Sequence, residues 1–414
     1  MAINKPGLSA IMLAVMLIAA PGRDAAAQTL SETVATTYQS HPTIAAALDE
    51  LRADDEKLAQ AYQYWWRPEV SGTLEYGQEH IDSDTDEQLA SGGVAISDYT
   101  EEDIVQQAEV TATLYLWRGG QTSAAIDNAR ATVEAQEATF ESTVQSTLSK
   151  AAQANANVVL QAATLNLAYE HETDLRAIKD TVGDLLHARQ ATTVDVAQVE
   201  LAVIEAQSTR ADALGELEAA RSSFNASTRS YPTELQHWPP LPALPDTLDQ
   251  ALEIARVESP NIRVAQAEVL ANEAAVREDE GALLPTLSVV GDYTLEIDHA
   301  RFQHSTDRAE YSRTGTASLM LELSIQLYTG GSGYSAVRES KRLVSQSRNK
   351  LVAAERTVTD NVTAVWQRLE AAERQIEIGH AQWSAAADAL SGQEKQFEQG
   401  LPTAASHSHP REPS

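Results

Sequence analysis

A chain of 414 residues with 60 Asp+Glu against 30 Lys+Arg carries a net charge of −30, which excludes nucleic acid as a partner because the phosphate backbone would repel it. It has no Cys, so disulfides, thiol catalysis, Cys-ligated metals and a lipid anchored on an N-terminal Cys are excluded as well. Only four Phe stand among hydrophobic residues that are mostly Ala, Leu and Val, a composition that predicts long thin helices and an elongated protein.

Residues 1–27 hold Lys5, an apolar run from Ile11 to Ala20, the helix-breaking Pro21-Gly22, and the small residues Ala25, Ala26 and Ala27. This is the layout of a secretory signal peptide, with cleavage expected between Ala27 and Gln28. Ten apolar residues at about 1.5 Å each span roughly half a bilayer core, too little for a membrane anchor. The mature chain is expected in the periplasm or beyond, or in a membrane as β-strands.

Residues 28–237 form the first of two expected repeats. An Ala-rich helical stretch containing His41-Pro42 ends at Pro68, where the periodicity changes to two. Over about 68–77, Val70, Gly72, Leu74 and Tyr76 alternate with Glu69, Ser71, Thr73 and Glu75; over about 107–117, Val110, Ala112, Leu114 and Leu116 alternate with Glu109, Thr111, Thr113 and Tyr115. Between them Glu79, Asp82, Asp84, Asp86, Glu87, Asp98, Glu101, Glu102 and Asp103 lack EF-hand spacing and read as a solvated external loop. A long helix is expected over 120–190, with a coiled-coil seam at Val158, Ala162, Leu165, Tyr169, Leu175, Ile178, Val182 and Leu185. A return helix follows over 194–229, and a Pro-rich linker over 238–247.

Residues 248–400 repeat this order at an offset of about 211 to 218 residues. A helix containing Ser259-Pro260 ends at Pro285, strands are expected at about 285–297 and 314–328, and a long helix at 331–400 with a seam from Val358 through Val365, Ile376 and Trp383 to Leu390. Only a Ser/His/Pro-rich tail, 401–414, follows, expected to be disordered, so the second return helix is expected to be absent and the product truncated or frameshifted. His407 and His409 in that tail read as incidental.

Each alternating run has the length of a tilted membrane β-strand with one lipid-like and one wet face. Four strands cannot close a barrel, and an open edge in lipid would leave backbone groups unpaired, so several chains must pool their strands around a polar lumen. The competing structures are amphipathic hairpins on a soluble core and a non-conducting coiled-coil rod or adhesin. No G-x-S-x-G, H-E-x-x-H or P-loop is present, so neither an enzyme, a cofactor nor a metal is expected.

The chain resembles the TolC-like outer-membrane channels, especially those of type I secretion systems. The matching residues are Leu30-Ser31-Glu32, His41-Pro42, Trp66-Arg67-Pro68, Leu116-Trp117-Arg118-Gly119-Gly120, Thr192-Thr193-Val194-Asp195-Val196-Ala197-Gln198, Gly281-Ala282-Leu283-Leu284-Pro285-Thr286 and Tyr334-Ser335-Ala336-Val337-Arg338. The resemblance implies an α+β membrane protein. Each repeat would supply a transmembrane β-hairpin and long periplasmic coiled-coil helices, and a homotrimer would form a twelve-stranded β-barrel on an α-helical tunnel. It implies docking to a periplasmic adaptor and an inner-membrane transporter of ABC type, for type I protein secretion or, alternatively, small-molecule efflux.

The resemblance places the adaptor-docking tip at Gln190, Ala191, Thr192, Thr193, Val194 and Asp195, with Gly400 in the equivalent place of the second repeat. Gln190 stands where the family carries Gly, which predicts a strained left-handed turn there. Asp195 has an equal alternative role as a charge at a helix N-terminus. Gly119, Gly120, Gly330 and Gly331 are read as strand-to-helix turns, and Pro68 and Pro285 as helix-to-strand turns.

Overall fold

The computed structural model describes residues 29–88, 94–232, 243–302 and 308–398. The expected signal peptide with its cleavage site, residues 238–242 of the linker, Gly400, and the tail with His407 and His409 lie outside the described residues. Those described fall into two units, one within 29–232 and 263–350, the other within 243–262 and 351–398.

Helix α1 (Leu30–Ser40) starts at a capping box: Thr29 Oγ1 accepts from the Glu32 N–H and the Glu32 carboxylate accepts from the Thr29 N–H, each at 3.1 Å. It stops before Pro42, which opens α2 (Pro42–Ala61) at a position where a missing N–H costs nothing. After a 3₁₀ turn (Tyr62–Tyr64), strands β1 (Glu69–Gln88) and β2 (Val94–Trp117) pair antiparallel from Glu69↔Thr113 to Gln88↔Val94. The acidic stretch expected as a loop is therefore mostly paired strand, and only 89–93 separates the two strands. Ladder hydrogen bonds are made by the main chain, so the pairing continues past the point where apolar alternation ends.

Next come α3 (Gln121–His187) and α4 (Thr193–Thr228), then α5 (Leu248–Glu258), α6 (Pro260–Gly281), β3 (Thr286–Phe302), β4 (Arg308–Ser324) and α7 (Ser332–Glu398). The sheet order is β1-β2-β3-β4, antiparallel throughout. β4 stops at Ser324, short of the expected 328, because no strand among the described residues pairs with 325–328; the corresponding end of β2 is paired with β3 alone.

In the first unit, α3 and α4 pack antiparallel. On α4 the buried positions are Val203, Ala206, Ala213, Leu217, Ala220 and Phe224, and on α3 they include Ala151, Ala154, Val158, Ala168 and Glu172. Both sets follow heptad spacing, and Arg210 fills the remaining α4 seam position. The expected seam holds at Val158 and Leu165 but not at Tyr169 or Ile178, which are exposed. On α3 the contact line is held largely by alanines and Glu172, with Val158 and Leu165, and not by the bulkier Tyr169 and Ile178. Glu172, 1% exposed, lies 2.5 Å from Arg176 and 3.1 Å from Arg210 Nε, and neither contact is aligned as a hydrogen bond. A charge in an otherwise apolar seam favours one axial register, because sliding by a heptad would set Glu172 against Val203 or Leu217 in place of Arg210.

On the other side of α3, Ala124, Ala131 and Ala138 are buried at seven-residue spacing, as are Ala267 and Ala274 of α6 and Ser340 and Ser347 of α7. Such small side chains permit close approach of the helices. Ion pairs tie α6 to α3 through Arg263–Glu141 and Arg277–Asp127, and to α7 through Glu273–Arg348 and Glu280–Lys341. The second unit contains α5, the first residues of α6 and the rest of α7, with Ile262 and Val358 buried. Further along α7, Val365, Ile376, Trp383 and Leu390 are exposed.

Candidate functional site

The four-stranded register places the alternating residues of all strands in common rows. Val70, Ala112, Gly291 and Leu319 lie side by side, as do Gly72, Val110, Tyr293 and Ala317, and then Leu74, Ala108, Leu295 and Gly315. Rows of opposite parity hold Ser71, Thr111, Asp292 and Ser318, then Thr73, Glu109, Thr294 and Thr316. Side chains two residues apart share a face, so one face is apolar and the other polar. On the polar face the Ser318 hydroxyl donates to the Asp292 carboxylate. The apolar face is uncovered: Leu74 is 86% exposed, Leu319 78% and Leu321 68%. An apolar patch of this kind, on a sheet whose two outer strands each have a bare edge, cannot be stable facing water. Among the described residues no helix is long and apolar enough to cross a membrane.

At the helix end of the sheet, Gly119 and Gly120 adopt φ of 61° and 85°, and Gly330 and Gly331 adopt 66° and 84°. Pro68 and Pro285 directly precede β1 and β3. The structure brings the Gly119 turn against the end of α6, where a Cβ on Gly119 would lie 2.3 Å from the Gly281 carbonyl oxygen. Gly281 had appeared in the sequence only as part of a motif; its close approach to Gly119, 162 positions away in the chain, had no local signal.

The same end carries Trp65, Trp66 and Trp117, all exposed, and Tyr64 edge-on to Tyr115 at 5.5 Å. The Arg118 guanidinium stacks 4.1 Å from the Tyr64 ring centroid. Nearby, desolvation raises the Glu278 pKa, the Asp279 charge raises it further, and Arg118 opposes both. A carboxyl with a raised pKa stabilises the fold fully in acid and loses that contribution as pH rises through its shifted value. Glu278→Gln is accordingly expected to raise the melting temperature at neutral pH and to leave it unchanged in acid, a difference that thermal scans at the two pH values measure.

At the turn between α3 and α4, Arg189 N–H bonds to the Leu186 carbonyl at 2.9 Å and Gln190 N–H to the Leu185 carbonyl at 2.8 Å, the pairing of a Schellman cap. The left-handed residue is Arg189, with φ 64°, and not Gln190 as expected. The cap requires that conformation one residue after Ala188, and Gln190 only supplies the second N–H. Arg189→Gly is expected to stabilise the turn by about 1 kcal/mol, read by chemical denaturation.

Ala191 follows, and Thr192 caps α4, whose first residues are Thr193, Val194 and Asp195. The Asp195 carboxylate accepts from the Thr192 N–H at 2.8 Å, and these backbone and hydroxyl hydrogen bonds to Thr192 hold its pKa low. Its carboxylate is thus engaged in capping. Val194 is 61% exposed. Lys179 bridges to Glu200 at 2.9 Å across the two helices, and this hydrogen bond and charge lower the Glu200 pKa.

The profile of the Outer membrane efflux protein family matches residues 251–411. The Outer membrane efflux protein BepC of Brucella suis biovar 1 is 26% identical over 383 residues, covering 90% of this chain and 76% of BepC. Two solved structures share the fold. CusC, whose crystal structures concern folding and transmembrane channel formation, has a TM-score of 0.69 and 15% identity over 94% of this chain and 87% of its own. The outer membrane protein VceC of Vibrio cholerae has a TM-score of 0.66 and 13% identity over 90% and 87%.

Proposed function

Because the chain is a TolC-like outer-membrane efflux protein, we propose that three copies pool their four-stranded sheets into a twelve-stranded barrel in the outer membrane, continued by an α-helical tunnel in the periplasm. The family comprises channels, and the chain is not an enzyme. The observation that supports the pooled barrel is the uncovered apolar face on a sheet with two bare edges. In lipid the apolar rows meet acyl chains, the polar rows face the lumen, and neighbouring copies satisfy both edges.

In this reading, residues 1–27 are removed on export, and 28–237 and 248–400 are the two repeats of each protomer. The Schellman turn and α4 cap, Gln190 to Asp195, form part of the periplasmic tip, together with Gly400, and meet an adaptor that joins the channel to an inner-membrane transporter. BepC is described as an efflux protein, which supports small-molecule efflux as the activity; protein secretion through the same tunnel, favoured by the sequence motifs, would differ in the transporter.

Purified oligomers in planar lipid bilayers are expected to give discrete conductance steps. A stable oligomer that never conducts would instead support a rod, and a monomer released from envelopes by carbonate alone would end the membrane reading.

A further inference from the structure

In the second unit a cavity of about 380 Å³ lies between α5, the start of α6 and α7, lined by Arg256, Ile262, Glu355, Arg356, Thr359 and Asp360. α5 stops at Glu258, just before Ser259-Pro260, so the helical surface is interrupted between Arg256 and Ile262. On α7, Glu355 with Thr359 and Arg356 with Asp360 are each four residues apart, which sets them in two adjacent rows on one helix face.

The charges around this cavity do not neutralise one another. Arg256, Glu355, Arg356 and Asp360 take part in no ion pair among the described residues, although Arg356 and Asp360 stand at a spacing that can pair along a helix. Their order, cation before anion, is the less favourable one. Two guanidinium groups and two carboxylates therefore line one cavity with their hydrogen-bonding capacity unspent.

The proposed repeats show that the fold does not require this lining. The helices before the strands correspond at a shift of 218, Pro42 with Pro260, and the long helices at 211, Gly120 with Gly331. The six lining positions then correspond to Tyr38, Ile44, Val144, Gln145, Leu148 and Ser149. Ile262 keeps its chemistry and its burial, as Ile44 does. All four charges are peculiar to the second repeat, where the first has Tyr, Val, Gln and Ser.

We propose that this cavity binds a small zwitterion, a short peptide with free termini, its carboxylate held by Arg256 and Arg356 and its ammonium group by Glu355 and Asp360. A purely anionic ligand would meet the two carboxylates, and a purely cationic one the two guanidinium groups. A ligand carrying both signs is matched by all four. The size agrees, since small-molecule sites run from about 300 to 1,000 Å³. A dipeptide about 7 Å long also spans neighbouring positions on a helix face, which lie about 5–6 Å apart. Ile262 supplies an apolar wall for its aliphatic part. The site is separate from the pooled barrel, and its test does not require a conducting channel.

Alanyl-alanine is titrated calorimetrically into the purified chain in detergent, alongside N-acetyl-alanyl-alanine, which lacks the ammonium group, and alanyl-alaninamide, which lacks the carboxylate. The free dipeptide is expected to bind. Loss of either charge is expected to weaken binding at least about tenfold, the loss of one charge-assisted contact. Arg256→Tyr, which installs the residue of the first repeat, is expected to abolish binding with no fall in melting temperature. Glu355→Gln is expected to weaken the free dipeptide and leave the acetylated one unchanged. Wild-type chain that binds none of the three, or binds all three equally, overturns the proposal, as does full binding by Arg256→Tyr. Chain that binds as expected but never conducts leaves this site standing and removes the channel reading alone.

Discussion

Gly119→Ala is expected to cost several kcal/mol and to abolish assembled channel, because the added methyl would lie 2.3 Å from the Gly281 carbonyl oxygen and 2.8 Å from Leu284 Cβ. Neither neighbour can yield cheaply, since one is backbone and the other is the root of a side chain. The φ of 61° adds the left-handed penalty, about 1 kcal/mol for a residue with a Cβ. Gly330→Ala, at a similar φ of 66° with open space around its Cβ, carries only that smaller penalty. Comparing the two variants by oligomer yield and melting temperature separates close packing from backbone strain; equal losses would show that the approach of Gly119 to Gly281 is unimportant.

Leu321→Arg tests the other large effect. Its side chain is 68% exposed on the apolar face, so in lipid an Arg there costs about 2–4 kcal/mol in every copy near the bilayer midplane. Thr316→Arg, on the polar face of the same strand, is expected to leave assembly intact and to alter conductance and ion selectivity. If both variants assembled equally well, the apolar rows would not face lipid.

The turn between α3 and α4 illustrates how a turn is divided between local and long-range information. The Thr192 and Asp195 pattern announces a helix start, and the structure shows the reciprocal hydrogen bonds. The left-handed position fell on Arg189 because the exact end of α3 decides it, and neighbouring residue types did not fix that end.

Residue order alone shows where the period changes from helix to strand, which residues alternate along each strand, and where Pro and Gly interrupt the elements. These are short-range consequences of side-chain placement and backbone freedom. How far the strands run is visible just in the folded chain, because main-chain pairing continues through the acidic segment without any apolar pattern. The fold also places Glu172 and Arg210 in a helix seam and Gly119 against Gly281, both of which depend on contacts between distant parts of the chain. Burial of a charged residue is readable only once its partner's position is known, and a glycine needed for close approach looks the same in sequence as one needed for a turn.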